Sequence, residues 1–421
     1  MTIASAPVPG ARRAALLFIF ITVLIDVLSF GLIIPVLPHL IENFVGGDTA
    51  KAAYWVGVFG TVFAAIQFVF SPIQGALSDR YGRRPVILLS CLGLGLDFIL
   101  MAVVNTLPLL LVGRIIAGIT AASFTTANAY IADITPPEQR AKSFGMIGAA
   151  FGVGFVIGPV IGAYLGEIDL RLPFWFSAGL ALLNFLYGWF VLPESLPPEK
   201  RTPRFDWSHA NPFGALVLLK RYPQVFGLAA VVFIANMAHY VYPSIFVLFA
   251  DYQYHWGLRE VGWVLLVVGV FNIIVNVGLV GRVVARLGER RALLLGLSCG
   301  VTGFVIYGLA ETGWLFLLGL PISALWAMAA PATQALITRQ VGADAQGRIQ
   351  GALMSLVSLA GVLGPALFAG SFGYFIGKHT PLHLPGAPWF IAAALLAIGV
   401  AIAWRFARAP AAAAPTADAA A

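Results

Sequence analysis

The sequence predicts an all-α membrane protein in which twelve transmembrane helices form two parallel six-helix bundles. Three observations carry that prediction. Of the 421 residues, 60% are hydrophobic and only 10% are charged, with a mean hydropathy of +0.91, whereas a soluble domain carries about 25% charged residues. The chain divides into twelve apolar runs of roughly the length, ~20 residues, that crosses a hydrocarbon core. One charged turn, Gly75-Ala76-Leu77-Ser78-Asp79-Arg80-Tyr81-Gly82-Arg83-Arg84-Pro85, returns 206 residues later in eroded form. There Gly281, Arg286, Gly288 and Arg290 repeat Gly75, Arg80, Gly82 and Arg84.

The runs fall at 14–38, 54–76, 86–105, 107–132, 143–166, 173–192, 222–248, 258–280, 291–312, 313–337, 349–377 and 386–408. Lipid cannot satisfy exposed backbone groups, and the runs lack the alternation of barrel strands, so each reads as a helix. The net charge of +7 is distributed topologically. With the N-terminus inside, twenty of the 25 Lys and Arg lie on one side, and Lys51, Arg171, Arg259 and Lys378 lie on the other. Arg114 falls within a helix. This positive-inside pattern predicts a multi-pass protein with both termini cytoplasmic and argues against a nucleic-acid partner. Arg12-Arg13 ahead of the first run imitates a signal peptide, but the run is too long for one and reads as a retained helix. Cys91 and Cys299 both sit in runs and read as apolar core positions.

The longest hydrophilic interruption, 193–221, begins Pro193-Glu194-Ser195-Leu196-Pro197-Pro198-Glu199-Lys200-Arg201. It separates an N-terminal bundle, 1–192, from a C-terminal bundle, 222–408. The Ala/Pro-rich tail, 409–421, is expected to be disordered. The offset of 206 recurs elsewhere: Gly145 matches Gly351, and Gly158-Pro159 matches Gly364-Pro365. Six spans return the chain to its starting side, so the repeats lie parallel. That is a transporter architecture, with the substrate site at mid-depth between the repeats.

Three charges lie deep in the spans. At a rise of 1.5 Å per residue, Asp26 lies ~18 Å, Asp97 ~16 Å and Arg114 ~20 Å from the cytoplasmic edge of a ~30 Å core. Charges inside a membrane are costly unless paired, and they default to a functional reading. A structural Asp97–Arg114 ion pair accounts for two of them. The third favours Asp26 as a proton carrier, with Asp97 and Arg114 as coupling partners.

The fifth span carries Gly154, Gly158, Gly162 and Gly166 at intervals of four, a face that allows close helix approach, and Pro159 bends it. In the charged turn, Gly75 and Gly82 permit a sharp backbone path. Asp79 is placed to meet a helix N-terminus across the interface between the lobes, and Ala285 replaces it in the second copy. Gln67, Asn128, Asn236, His239, Asn272 and Asn276 can line a cavity or bond neighbouring helices. No Walker loop, metal-ligand cluster or hydrolase elbow is present. The sequence therefore predicts no enzyme, no cofactor and no metal, and a proton gradient as the driving force.

These residues resemble the major facilitator superfamily. Gly75–Pro85 is similar to its cytoplasmic loop signature, and Leu111-Val112-Gly113-Arg114 with Gly118 is similar to its helix-four signature. Gly154, Gly158, Pro159 and Gly162 resemble the helix-five signature of its drug/proton antiporters. Nearly the whole chain resembles the tetracycline efflux proteins, through Asp26 with Gly31–Pro38, Ile131–Pro136, His255-Trp256, Arg286–Leu293 and Arg339-Gln340-Val341. The resemblance implies functional weight for Asp26, Asp79, Arg80, Arg83, Arg84, Asp97, Arg114 and His255, and a drug contact at Gln67. Members that exchange metal–tetracycline for a proton carry an acidic residue in the ninth span. Here the aligned position is Gly300, which separates the efflux mechanism from tetracycline as cargo. The expectation is a monomeric proton-coupled antiporter of a bacterial inner membrane, exporting a hydrophobic or amphipathic small molecule. The alternative is a proton symporter or facilitator for a small nutrient on the same fold.

Overall fold

A computed structural model describes residues 9–121, 123–202, 223–341, 343–378 and 380–407. Most of the 193–221 linker and the 409–421 tail lie outside the described residues. Every regular element described is helical. In chain order these are α1 (Pro9–Ile33), α2 (Leu37–Phe44), α3 (Thr49–Tyr81), α4 (Arg83–Val103), α5 (Leu107–Thr120), α6 (Ser123–Ile134), α7 (Pro137–Ile168) and α8 (Leu172–Val191). The second half holds α9 (Pro223–His239), α10 (Val241–Tyr254), α11 (Leu258–Ile273), α12 (Val280–Leu309), α13 (Gly313–Ala324), α14 (Ala329–Arg339), α15 (Ala343–Ile376) and α16 (Ala387–Phe406).

Among the described residues, ten helical stretches are long and apolar enough to cross a bilayer. One of them, Leu258–Leu309, contains a non-helical break at Gly288 and so supplies two spans. α5 and α6 together make another, and all twelve expected runs are helical. Several are interrupted. α1 stops at Ile33 rather than running to 38, because Pro35 cannot continue the hydrogen-bond ladder. The run at 222–248 breaks at Tyr240, and that at 313–337 passes through a 3₁₀ turn, Leu325–Met328. In both, the resumed helix carries a proline in its first turn, Pro243 and Pro331, where a missing N–H costs nothing. α11 runs into a π-helical segment, Ile274–Leu279.

The contacts divide the chain into two compact units, one of Met1–Pro212 with Pro243–Gly269, the other of Phe213–Tyr242 with Val270–Ala421. Each unit repeats one packing scheme. In the first, α1 packs on α7 and α8, and α4 packs on α8 and α5. In the second, α9 packs on α15 and α16, and α12 packs on α16 and α13. The core of the first unit gathers Phe18, Ile19, Ile87, Cys91 and Tyr130.

Hydrophobic exclusion does little between helices already in lipid, so close approach must supply the contact energy. α7 achieves it through its glycines. A Cβ at Gly154 would meet Leu28 N at 2.9 Å, and one at Gly158 would meet Gly31 Cα at 2.8 Å. The glycine face of the fifth span therefore lies against the first span within one unit. The 243–269 segment is also fastened inside this unit. Gly262 closes on Pro159 O and Ala163, Arg259 pairs with Glu167 at 2.5 Å, and His39 Nδ1 lies 3.8 Å from Asp251. The Arg259–Glu167 pair is exposed and screened by water, so it contributes little.

Candidate functional site

Asp97 on α4 and Arg114 on α5 form a buried ion pair, 0% and 9% exposed, at 2.5 Å. Local sequence makes room for it. A side chain at position 113 would press on Asp97 Oδ1 at 2.7 Å, and the residue there is Gly113. The Arg114 guanidinium also sits 5.9 Å from the Phe63 ring centre and touches the Met101 sulfur. Asp97 Oδ1 and Arg114 Nε are buried without a hydrogen bond from the described residues.

Asp26 is half-buried on α1, within electrostatic reach of Cys91, while the charge acting on Asp97 is that of Arg114. Around Cys91, Asn184 donates to Sγ at 3.5 Å and accepts from Thr22 Oγ1 at 3.2 Å. Depth along a helix says nothing about direction around it, and α1 packs on α7 and α8.

The Gly75–Pro85 turn is tied together from within. The Asp79 carboxylate pairs with Arg83 Nη1 at 2.6 Å, inside its own turn. Arg83 also reaches Asp133 at 3.1 Å and Ser78 at 2.6 Å. Arg80 lies exposed beside Tyr81, and Arg84 donates to Trp189 O at 2.6 Å. Gly75 has open space around it, whereas Gly82 takes φ 106°, a left-handed conformation suited to glycine.

The carboxylate on the N-terminus of α4 is that of Glu194, in the linker just after α8. It accepts from the N–H of Arg83 at 2.8 Å, Arg84 at 3.3 Å, Ser195 at 2.9 Å and Leu196 at 3.0 Å. Its place just after α8, beside the Pro193 carbonyl that accepts from Tyr130, was the available signal. Glu194→Ala is expected to cost about 2 kcal/mol, since charge-assisted caps of this kind are lost together. The thermal midpoint of the purified protein measures it, and an unchanged midpoint would show the cap to be idle.

The expected lining residues divide between the units. Gln67 and Asn128 are half-buried on α3 and α6. His255 is exposed at the end of α10 with φ 56°, its N–H donating to Asp251 O at 2.8 Å, a left-handed helix cap. In the second unit Asn236 bonds its own helix at Val232 O, and Asn276 bonds Asn272 O across the π-helical segment. His239 is exposed beside Tyr242 and Trp326, with ring centres 5.9 and 5.8 Å away. Gly300 is buried, and a Cβ there would meet Leu396 at 2.7 Å and the Trp326 indole at 3.0 Å. The ring of Trp326 occupies space that an acidic side chain at position 300 would need.

Residues 19–365 match the model of the Major Facilitator Superfamily. The class C tetracycline resistance protein of Escherichia coli is 37% identical over 381 residues, covering 90% of this chain and 94% of that protein. The class H protein of Pasteurella multocida is 34% identical over 391 residues, covering 92% and 94%. Among solved structures, the nucleoside transporter NupG shares the fold with a TM-score of 0.75 at 13% identity, over 94% of this chain and all of that one. The human organic anion transporter MFSD10 superposes with a TM-score of 0.69 at 23% identity, over 93% and 99%. Fold and relatives are those of transporters, not enzymes. This chain is a multi-pass membrane protein that belongs to the major facilitator superfamily, alongside the tetracycline resistance proteins.

Proposed function

We propose that the protein is a proton-coupled antiporter of a bacterial inner membrane, with both termini cytoplasmic, exporting a hydrophobic or amphipathic small molecule by alternating access. The buried Asp97–Arg114 pair is the observation that carries this reading. An ion pair removed from water in a lipid-embedded unit is held at high cost, and a change at either partner shifts the balance between packed states. Asp26, half-buried on α1, is the proton carrier, and the Asp97–Arg114 pair couples its charge to helix packing. Coupling follows when the proton and the cargo each bind one state better than the other.

The aromatic face at His239, Tyr242 and Trp326 suits a planar amphipathic cargo. The crowding at Gly300, where the resemblance implies an acidic residue in the exchangers of metal–tetracycline, disfavours such a chelate as cargo. Asp79 and Arg83 act as a structural latch for the turn through Asp133 and Ser78, and Arg84 fastens it to Trp189 O.

Everted vesicles from an efflux-deficient host test the proposal. With an imposed proton gradient, wild-type vesicles are expected to accumulate members of a drug panel that includes tetracycline. Asp26→Asn vesicles should lose that accumulation at least tenfold while inserting normally. Wild-type vesicles that expel drug instead would replace antiport by symport, and full activity in Asp26→Asn would remove Asp26 from the mechanism.

A further inference from the structure

Each repeat carries a long helix that starts one residue after a glycine of the same backbone geometry. Gly82 has φ 106° and ψ 161°, and Gly288 has φ 76° and ψ 162°. Three contacting positions keep the 206-residue register, Arg84 with Arg290, Arg83 with Glu289 and Asp133 with Arg339. Arg84 donates to Trp189 O, and its counterpart Arg290 donates to Trp404 O at 2.9 Å. Arg83 pairs with Asp133. Their counterparts Glu289 and Arg339 pair at 2.5 Å with the two signs exchanged.

The copies differ in what sits on the helix N-terminus. In the first unit the Glu194 carboxylate fills the notch, bridging two backbone N–H groups with Arg201 3.8 Å away. A Cβ on Gly82 would run into that carboxylate, whereas one on Gly288 meets nothing within 4 Å among the described residues. The space beside Gly288 is a cavity of about 230 Å³, lined by residues 287–291, Leu336, Arg339 and Gln340. That volume exceeds the ~30 Å³ share of a single water several times over. Three guanidinium groups border it, Arg290, Arg291 and Arg339, against one carboxylate, Glu289, already paired with Arg339.

We propose that this cavity binds the phosphate of an anionic phospholipid headgroup, in the place that Glu194 fills in the first unit. Two features select a phosphate oxyanion. The first repeat shows an anion seated on the equivalent N–H groups, and helix N-termini with arginine forks bind phosphate strongly. A lipid source follows from the surroundings. Arg290 ties the notch to Trp404, which is 62% exposed at the end of α16, and Leu287 on its wall is 41% exposed. Exposed tryptophan at the end of a span marks the headgroup level.

Native mass spectrometry of the full-length protein, titrated with phosphatidylglycerol or phosphatidylcholine, tests this. One phosphatidylglycerol is expected to be retained at least tenfold more tightly than phosphatidylcholine. Arg291→Gln with Arg339→Gln should remove that preference. Arg282→Gln with Arg286→Gln, which deletes the same charge outside the cavity, should keep it. Gln340→Glu leaves every arginine in place and puts a carboxylate in the notch, so it should also displace the lipid, which covers the case of the double variant failing to fold. Equal loss in both arginine pairs, or equal binding of the two lipids, overturns the site. Retention of inorganic phosphate without any lipid preference overturns the lipid source.

Discussion

Arg114→Leu is expected to destabilise the protein by about 3–5 kcal/mol, because it strands the Asp97 carboxylate in a fully buried position. No polar group among the described residues takes over, since Asp97 Oδ1 already lacks a protein hydrogen bond. The companion variant, Asp97→Leu with Arg114→Leu, should return to within about 1 kcal/mol of wild type, because apolar residues of similar volume replace buried ion pairs without loss. Thermal midpoints in detergent measure both. Transport in everted vesicles then separates structure from function. The refolded double variant should be inactive, and restored proton-driven transport in it would reduce the pair to scaffolding.

Gly162→Ala is expected to be costly despite the small change, whereas Gly179→Ala should be neutral or slightly favourable. A Cβ at Gly162 would overlap the Leu32 carbonyl of the neighbouring helix, and backbone cannot move aside as a side chain does. Overpacking of this kind costs about 1–3 kcal/mol or more. Gly179, on α8, has open space where its Cβ would stand, and alanine there gains up to about 1 kcal/mol of helix propensity. Opposite signs for one chemical change would establish that the glycines of the fifth span exist for close contact with the first. A neutral Gly162→Ala would show that α1 and α7 separate readily.

Much of the architecture was legible because the bilayer imposes simple rules. Span length, charge placement and the repeated Gly82 and Gly288 turns each follow from one-dimensional pattern. The breaks inside spans were less visible. Pro243 and Pro331 mark where helices resume, but the interruptions at Tyr240 and Leu325 and the π-helical turn at Ile274 come from packing rather than composition. Glu194 was hidden for another reason. A charge in a linker looks solvated until the fold shows the N–H groups of Arg83 and Arg84 converging on it.

By itself the sequence determined a duplicated, twelve-span membrane protein with three charges inside its spans, since hydropathy and spacing are local properties. Only the tertiary structure decided which of those charges meet. It joined Asp97 to Arg114, set Asp26 beside Cys91, turned Asp79 back on Arg83, and seated Glu194 in one copy of the repeated notch, while the other is open among the described residues. Partnerships of this kind depend on the rotation of each helix about its axis, which packing against neighbours sets and which a position along the chain does not encode.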